Sequence, residues 1–341
     1  MNSSLSPQRG FRQVSSASFL PLLFALISWL AVSLPAVGQE LLKVSILQSS
    51  ASLPASTARL ANELGLFKKH GLDATIGAAE TGSVAMSALV SGSVQFITSG
   101  SSDSILAFGR GQRAVTLTTT YHGFSAVLVL SKTAVEKIGV SASAPVEQRL
   151  KALDGLTIAS TSASSPFTIA VKASAAAVGA NIKLVYMAQP AMVAALKTGV
   201  VDGISVAAPF YAQPPREGFG TIWISGPKGE FLVSPANSTM LIAMRNFASS
   251  NPELVRRTVA VFRDLGRIVV EQPDLVKKAI AKMNPDLDAA TMDLVFETDS
   301  RGFAVGELTT RELEQDIQFM KNSGLSLPGV ETITPADLML K

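Results

Sequence analysis

Residues 88–94 read ALVSGSV, and residues 195–201 read ALKTGVV. Both fit one pattern, Ala-Leu-x-(Ser/Thr)-Gly-x-Val. In each copy a helical run ends at a glycine, Gly92 or Gly199, and a valine-led apolar run follows. Glycine is the residue that stops a helix at least cost, because it tolerates the left-handed backbone of the stop. The apolar run after it reads as a buried strand. A polar or proline-containing break follows each strand, TSGSSD at 98–103 and AAPFYAQPP at 207–215. Two copies with the same order of flanking elements predict two similar lobes.

The elements around these copies alternate. Strands are expected at 41–47, after Gly71, and at 94–99, 114–121 and 125–131. Helices are expected within 49–65, briefly at 66–70, and at 83–92 and 101–111. In the first helix Thr57, Leu60, Ala61 and Leu64 share one face, with Pro54 at its start and Gly65 as its stop. A second series begins near residue 150, with strands at 156–161, 183–188, 201–207, 221–225 and 238–244. Helices lie between them at 165–179 and 190–199. From Asn251 the chain turns helical, over 251–270, 273–283, 288–297 and 309–322. The alternation predicts an α/β fold with a parallel sheet in each half and helices on its faces.

Composition narrows the function. The chain has 341 residues, 47% hydrophobic and 16% charged, enough for real cores and against disorder. It has no cysteine, which excludes disulfides, zinc–thiolate sites and thiol catalysis. His70 and His122 are its only histidines, so a histidine-based metal cluster is not expected, and no residue pattern calls for a cofactor. Arg9 and Arg12, the apolar run 19–32 and the small residues Ala36-Val37-Gly38 form the pattern of a secretory signal, with cleavage near Gly38. The run is too short for a bilayer span of about 20 residues. Residues 1–38 hold two arginines and no acid, so residues 39–341 carry 27 basic and 26 acidic side chains. That balance is no nucleic-acid footprint. The N-terminal pattern predicts secretion.

Ligands of open α/β sheets gather beyond the C-terminal strand ends, where helix N-termini offer free N–H groups. Four strand-to-helix breaks carry hydrogen-bonding residues there. LQSSASLP offers Ser49, Ser50, Leu53 and Pro54, and ITSGSSDS offers Ser99, Gly100 and Ser101. IASTSASSPFT, at 158–168, offers Ser162, Ser164, Ser165 and Phe167. VAAPFYA offers Pro209, Phe210 and Tyr211. Tyr121 and His122 lie between the two halves. No arginine or lysine occurs in the four breaks. A lone serine before a helix is ordinarily a cap, worth about 1 kcal/mol, but three serine-rich breaks at one edge point to a ligand. Asp103 and Asp202 lie near the same edge without a histidine partner, and no catalytic or phosphate-loop motif occurs.

Four segments carry a family resemblance: RLANELGLFKKHGLD (59–73), SALVSGSVQF (87–96), LKALDGLTIA (150–159) and AALKTGVVDGISVAAPF (194–210). They resemble the periplasmic solute-binding proteins of ABC importers for nitrate, aliphatic sulfonates, taurine and thiamine-pyrimidine precursors. The chain departs from that pattern at Gln95, where the family has Asp, and in the Ser-Ala-Ser-Ser-Pro loop, where many relatives have Gly-Ser. The resemblance implies a type II periplasmic binding protein: two Rossmann-like lobes, 40–127 plus 240–341 and 131–235, joined by a two-segment hinge. It implies a small polar or anionic organic ligand between the lobes, an ABC permease and its ATPase as partners, a monomer, and no catalysis. A sensor module, or an enzyme like the thiamine-pyrimidine synthases, are the alternatives. The latter use a cysteine-rich segment and a reactive histidine, and this chain has no cysteine.

Overall fold

The computed structural model describes residues 40–304 and 307–340. The expected signal segment lies outside them. Ten strands form two five-stranded sheets. The first sheet contains β1 (Leu42–Gln48), β2 (Leu72–Ala78), β3 (Phe96–Ser99) and β4 (Ala114–His122). The second contains β5 (Val127–Ser131), β6 (Thr157–Ser160), β7 (Lys183–Tyr186), β8 (Gly203–Val206) and β9 (Gly220–Ser225). The chain then returns to the first sheet with β10 (Asn237–Met244).

The strand orders are β2-β1-β3-β10-β4 and β7-β6-β8-β5-β9. Three parallel strands occupy equivalent places in each, and the fourth place goes to the strand that has just crossed from the other sheet. That strand, β10 or β5, runs antiparallel to both neighbours. Both sheets are therefore mixed rather than parallel. A strand that enters from the opposite sheet arrives in the opposite direction, and strand composition carries no record of this. β5 is buried along its whole length, as a strand covered on both faces must be.

The repeated heptapeptide makes the same joint twice. The helix Gly82–Val90 ends with Gly92 at φ 78°, and Gln189–Lys197 ends with Gly199 at φ 73°. In the first, Ser93 N–H donates to Ala88 C=O at 3.0 Å and Gly92 N–H to Leu89 C=O at 3.1 Å. In the second, Val200 N–H donates to Ala195 C=O at 2.9 Å and Gly199 N–H to Leu196 C=O at 3.2 Å. These paired bonds are Schellman caps, which explains why the glycine is needed at both.

The C-terminal helices cover the first sheet. Pro252–Glu271 buries Leu254, Val255, Thr258, Val261, Phe262, Leu265, Ile268 and Val269 on one stripe. It packs on the helices Thr57–Glu63 and Leu66–Lys69. Phe67 meets Phe262 edge to face at 6.4 Å. Lys69 and His70 reach Asp264 at 2.5 and 3.0 Å.

The chain crosses between the sheets at 123–126 and at 226–236. The two crossings are bonded side by side. Gly226 N–H donates to Ala126 C=O at 2.8 Å, and Ser125 N–H donates to the Ser238 hydroxyl at 2.6 Å. The second crossing is also anchored from below. Buried Asp316, on the helix Thr310–Lys321, accepts from Ala236 N–H at 2.7 Å and Asn237 N–H at 3.4 Å, with the Ser101 hydroxyl beside it. Burial pushes the Asp316 carboxyl up to about 7, against the pull of these donors, and nearby Glu312 raises it further. In an unfolded chain it titrates near 3.8. Between those values the folded protein keeps a proton that the unfolded chain has lost, so stability falls as pH rises from about 4 to about 7. Asp316→Asn keeps an oxygen for Ala236 and removes the titration. Melting temperatures followed across this window should then decline less steeply than wild type, by up to a few kcal/mol in stability at the upper end. Identical slopes would refute the assignment.

Candidate functional site

A cavity of about 270 Å³ lies between the sheets. That is many times the roughly 10–15 Å³ that one water needs on the same measure. Its walls are the segments that follow β1, β2, β3 and β6, with Ser125 of the first crossing and Ser238 at the start of β10. The N-terminal residues of four helices meet there: Gly82 and Ser83, Ser102 after Gly100, Pro166 after Ser165, and Gln189. Free N–H groups and the partial positive charge of helix N-termini favour acceptor and anionic groups of a ligand.

The structure brings Ser49, Ser50, Pro54, Gly100, Ser162, Ser164, Ser165 and Phe167 together around this cavity. Ser50 and Ser52 hydroxyls lie 2.8 Å apart, which fixes the loop after β1. Ser165 is the N-cap of Pro166–Ala177, accepting from Phe167 N–H at 3.3 Å. The Ser162 and Ser164 hydroxyls make no hydrogen bond among the described residues. Phe167 packs edge to face on Phe124 at 5.6 Å and forms an apolar corner.

Other expected contacts lie elsewhere. Leu53 is buried, and its N–H donates to Ala208 C=O at 2.8 Å, tying the loop after β1 to the segment after β8. Ser99 is buried beneath the cavity and its hydroxyl donates to Asp103. Ser101 is buried against Asp316. Tyr121 and Tyr211 are both buried, and both hydroxyls donate to the carboxylate of buried Asp299, on the helix Ala289–Phe303. They hold each other's surroundings together instead of facing a ligand. Pro209 and Phe210 lie off the cavity wall with Tyr211, and Phe210 packs on the core. His122 points outward, its Nδ1 3.2 Å from Glu312 Oε1. Asp202 accepts from Thr157 N–H at 2.8 Å and secures β6. Gln95 likewise stays structural, accepting from Ser45 N–H at 2.8 Å.

Charge enters the wall from a helix rather than a loop. Asp103 and Arg110 both line the cavity, with Glu80 at its edge. Burial pushes the Asp103 carboxyl above its ordinary range, while Ser99, Gly100 N–H and the Arg110 guanidinium pull it down. Asp103 also packs on the first turn of the neighbouring helix. A Cβ at Gly82 would fall 2.1 Å from Asp103 Oδ2, so any larger residue there must displace that carboxylate. Gln189 was not anticipated; its carboxamide oxygen accepts from Ala207 N–H at 2.8 Å and props the segment after β8.

The NMT1-like family model matches residues 51–284, which contain all four resemblance segments. The chain belongs to the NMT1-like family. Its architecture is that of the periplasmic binding proteins. It superposes on a protein from Bordetella bronchiseptica RB50 with a TM-score of 0.72 at 19% identity, over 89% of this chain and 95% of that one. The alkanesulfonate-binding protein SsuA from Xanthomonas axonopodis pv. citri, bound to MOPS, gives 0.68 at 16% identity, over 88% and 98%. The periplasmic nitrate-binding protein NrtA from Synechocystis PCC 6803 gives 0.62 at 14% identity, over 88% and 87%. No curated protein matches the sequence.

Proposed function

We propose that the protein is the periplasmic substrate-binding component of an ABC importer. It closes on a small polar or anionic organic solute between two lobes, 40–127 plus 240–341 and 131–235, and presents it to a membrane permease and its ATPase. It acts as a monomer and carries out no chemistry. The observation that carries this reading is the cavity, whose lining comes from the loops of both sheets and from Ser125 of the first crossing. A ligand touching both walls favours the closed arrangement, and that preference is the signal a permease can read. The solved structures of like fold named for sulfonate and nitrate binding support the solute class. The absence of any cysteine speaks against the synthase alternative.

Thermal melting against a solute panel, combined with small-angle scattering, tests this. At a ligand concentration 100 times its Kd, binding adds about 2.7 kcal/mol of stability. The expected result is a solute that raises the melting temperature and reduces the radius of gyration together. A panel that spans sulfonates, carboxylates, amino acids and pyrimidines without either change would count against the reading.

A further inference from the structure

The cavity does not stop at the serine loops. It runs on between two helices of the first sheet's layer, Gly82–Val90 and Ser101–Gly109, which pack against each other. One wall shows Ser83, Met86 and Ser87, and the other shows Asp103, Leu106 and Arg110. Each set is spaced as one face of a helix. Asp103 and Arg110 are seven residues apart, about 10 Å along the helix axis. The order along the groove is therefore polar at the serine end, apolar at Met86 and Leu106, and cationic at Arg110. Arg110 is exposed, and makes no ion pair among the described residues. Asp103 is already engaged by Ser99 and by the first turn of the facing helix.

We propose that this groove is a second subsite, taking an apolar chain that ends in a carboxylate or sulfonate. The ligand is then elongated: a polar head among the serines, an aliphatic middle, and an acidic end at Arg110. This rests on the solute-binding reading and narrows it to linear organic acids with a second polar end, as opposed to compact oxyanions. Asp103 sets the polarity of the groove, because it disfavours an acid placed halfway along.

Calorimetric titration with the linear dicarboxylates succinate, adipate, suberate and sebacate tests the proposal on the wild-type protein. Affinity should rise by about tenfold or more from succinate to the six- or eight-carbon acids, the scale of one added charge-assisted contact. Arg110→Gln, at an exposed position, should remove that gain and leave succinate unchanged. Ser87→Trp, also exposed, should block the longer acids by filling the groove. Affinity independent of chain length, or an Arg110→Gln protein that binds suberate like wild type, overturns the subsite. Binding of compact solutes alone, such as nitrate or taurine, overturns the subsite while the solute-binding reading stands. If neither the series nor the compact solutes bind, both readings fall.

Discussion

Gly226→Ala should lower the melting temperature by roughly 6–12 °C. Gly226 lies where the two crossings touch. A Cβ there would sit 2.4 Å from the Phe124 carbonyl oxygen and 2.6 Å from that of Ala126, both backbone atoms of the other crossing. Neither can turn aside as a flexible side chain would. The crossings must separate, and with them the Gly226 N–H bond to Ala126 C=O at 2.8 Å. Overpacking of this kind costs about 3 kcal/mol, and a domain of this size loses about 2–4 °C per kcal/mol. Lys228→Ala, exposed in the same turn, should change little. Calorimetry on the two variants decides. Equal melting temperatures would mean that the crossings have room to spare. If the proposed closure turns on these segments, Gly226→Ala should also blunt any ligand-dependent change in scattering.

Asp299→Ala should be the other large loss, about 4 kcal/mol. The Asp299 carboxylate accepts from Tyr121, at the end of β4, and from Tyr211, which follows β8 in the other sheet. Removing it strands two buried hydroxyls, each costing about 1–3 kcal/mol. The helix has adapted to this contact. A Cβ at Gly302 would fall 2.1 Å from the Tyr121 ring, so the ring lies directly on that turn. Burial pushes Asp299 up to about 6, against the pull of both tyrosines. The folded carboxyl thus holds its proton after the unfolded one, near 3.8, has released it. Stability from this group falls as pH rises from about 4 to about 6. Asp299→Ala should show a lower melting temperature than wild type throughout, with a flatter dependence in that window. Tyr211→Phe should show a smaller loss, since only one donor is removed. A chemical-denaturation series that places Asp299→Ala within 1 kcal/mol of wild type would contradict the tyrosine–aspartate assignment.

The serine loops were legible because position on the sheet does most of the selecting. A strand that ends in Ser-Ser and is followed by a proline-opened helix places its hydroxyls at one edge, whatever the rest of the chain does. Ser162, Ser164 and Gly100 are of this kind. Tyr121 and Tyr211 were not legible. A tyrosine at a strand end looks the same whether it faces a ligand or a buried acid, and Asp299 lies 178 and 88 residues away from them. The role of Arg110 depended on something else again. Its helix was visible, but only the phase of that helix against Gly82–Val90 turns the guanidinium into the cavity. The antiparallel entry of β5 and β10 escaped for a related reason. Direction is set by the crossing, while periodicity records only burial.

On the proposed function, one organic solute sits between the sheets at the serine loops. Native mass spectrometry of the protein purified without denaturation tests this, run beside Ser50→Trp, which places an indole in the cavity from the loop after β1. Wild type should carry one small molecule per chain and the variant none. Bare chains in both, or the same adduct on both, would contradict it.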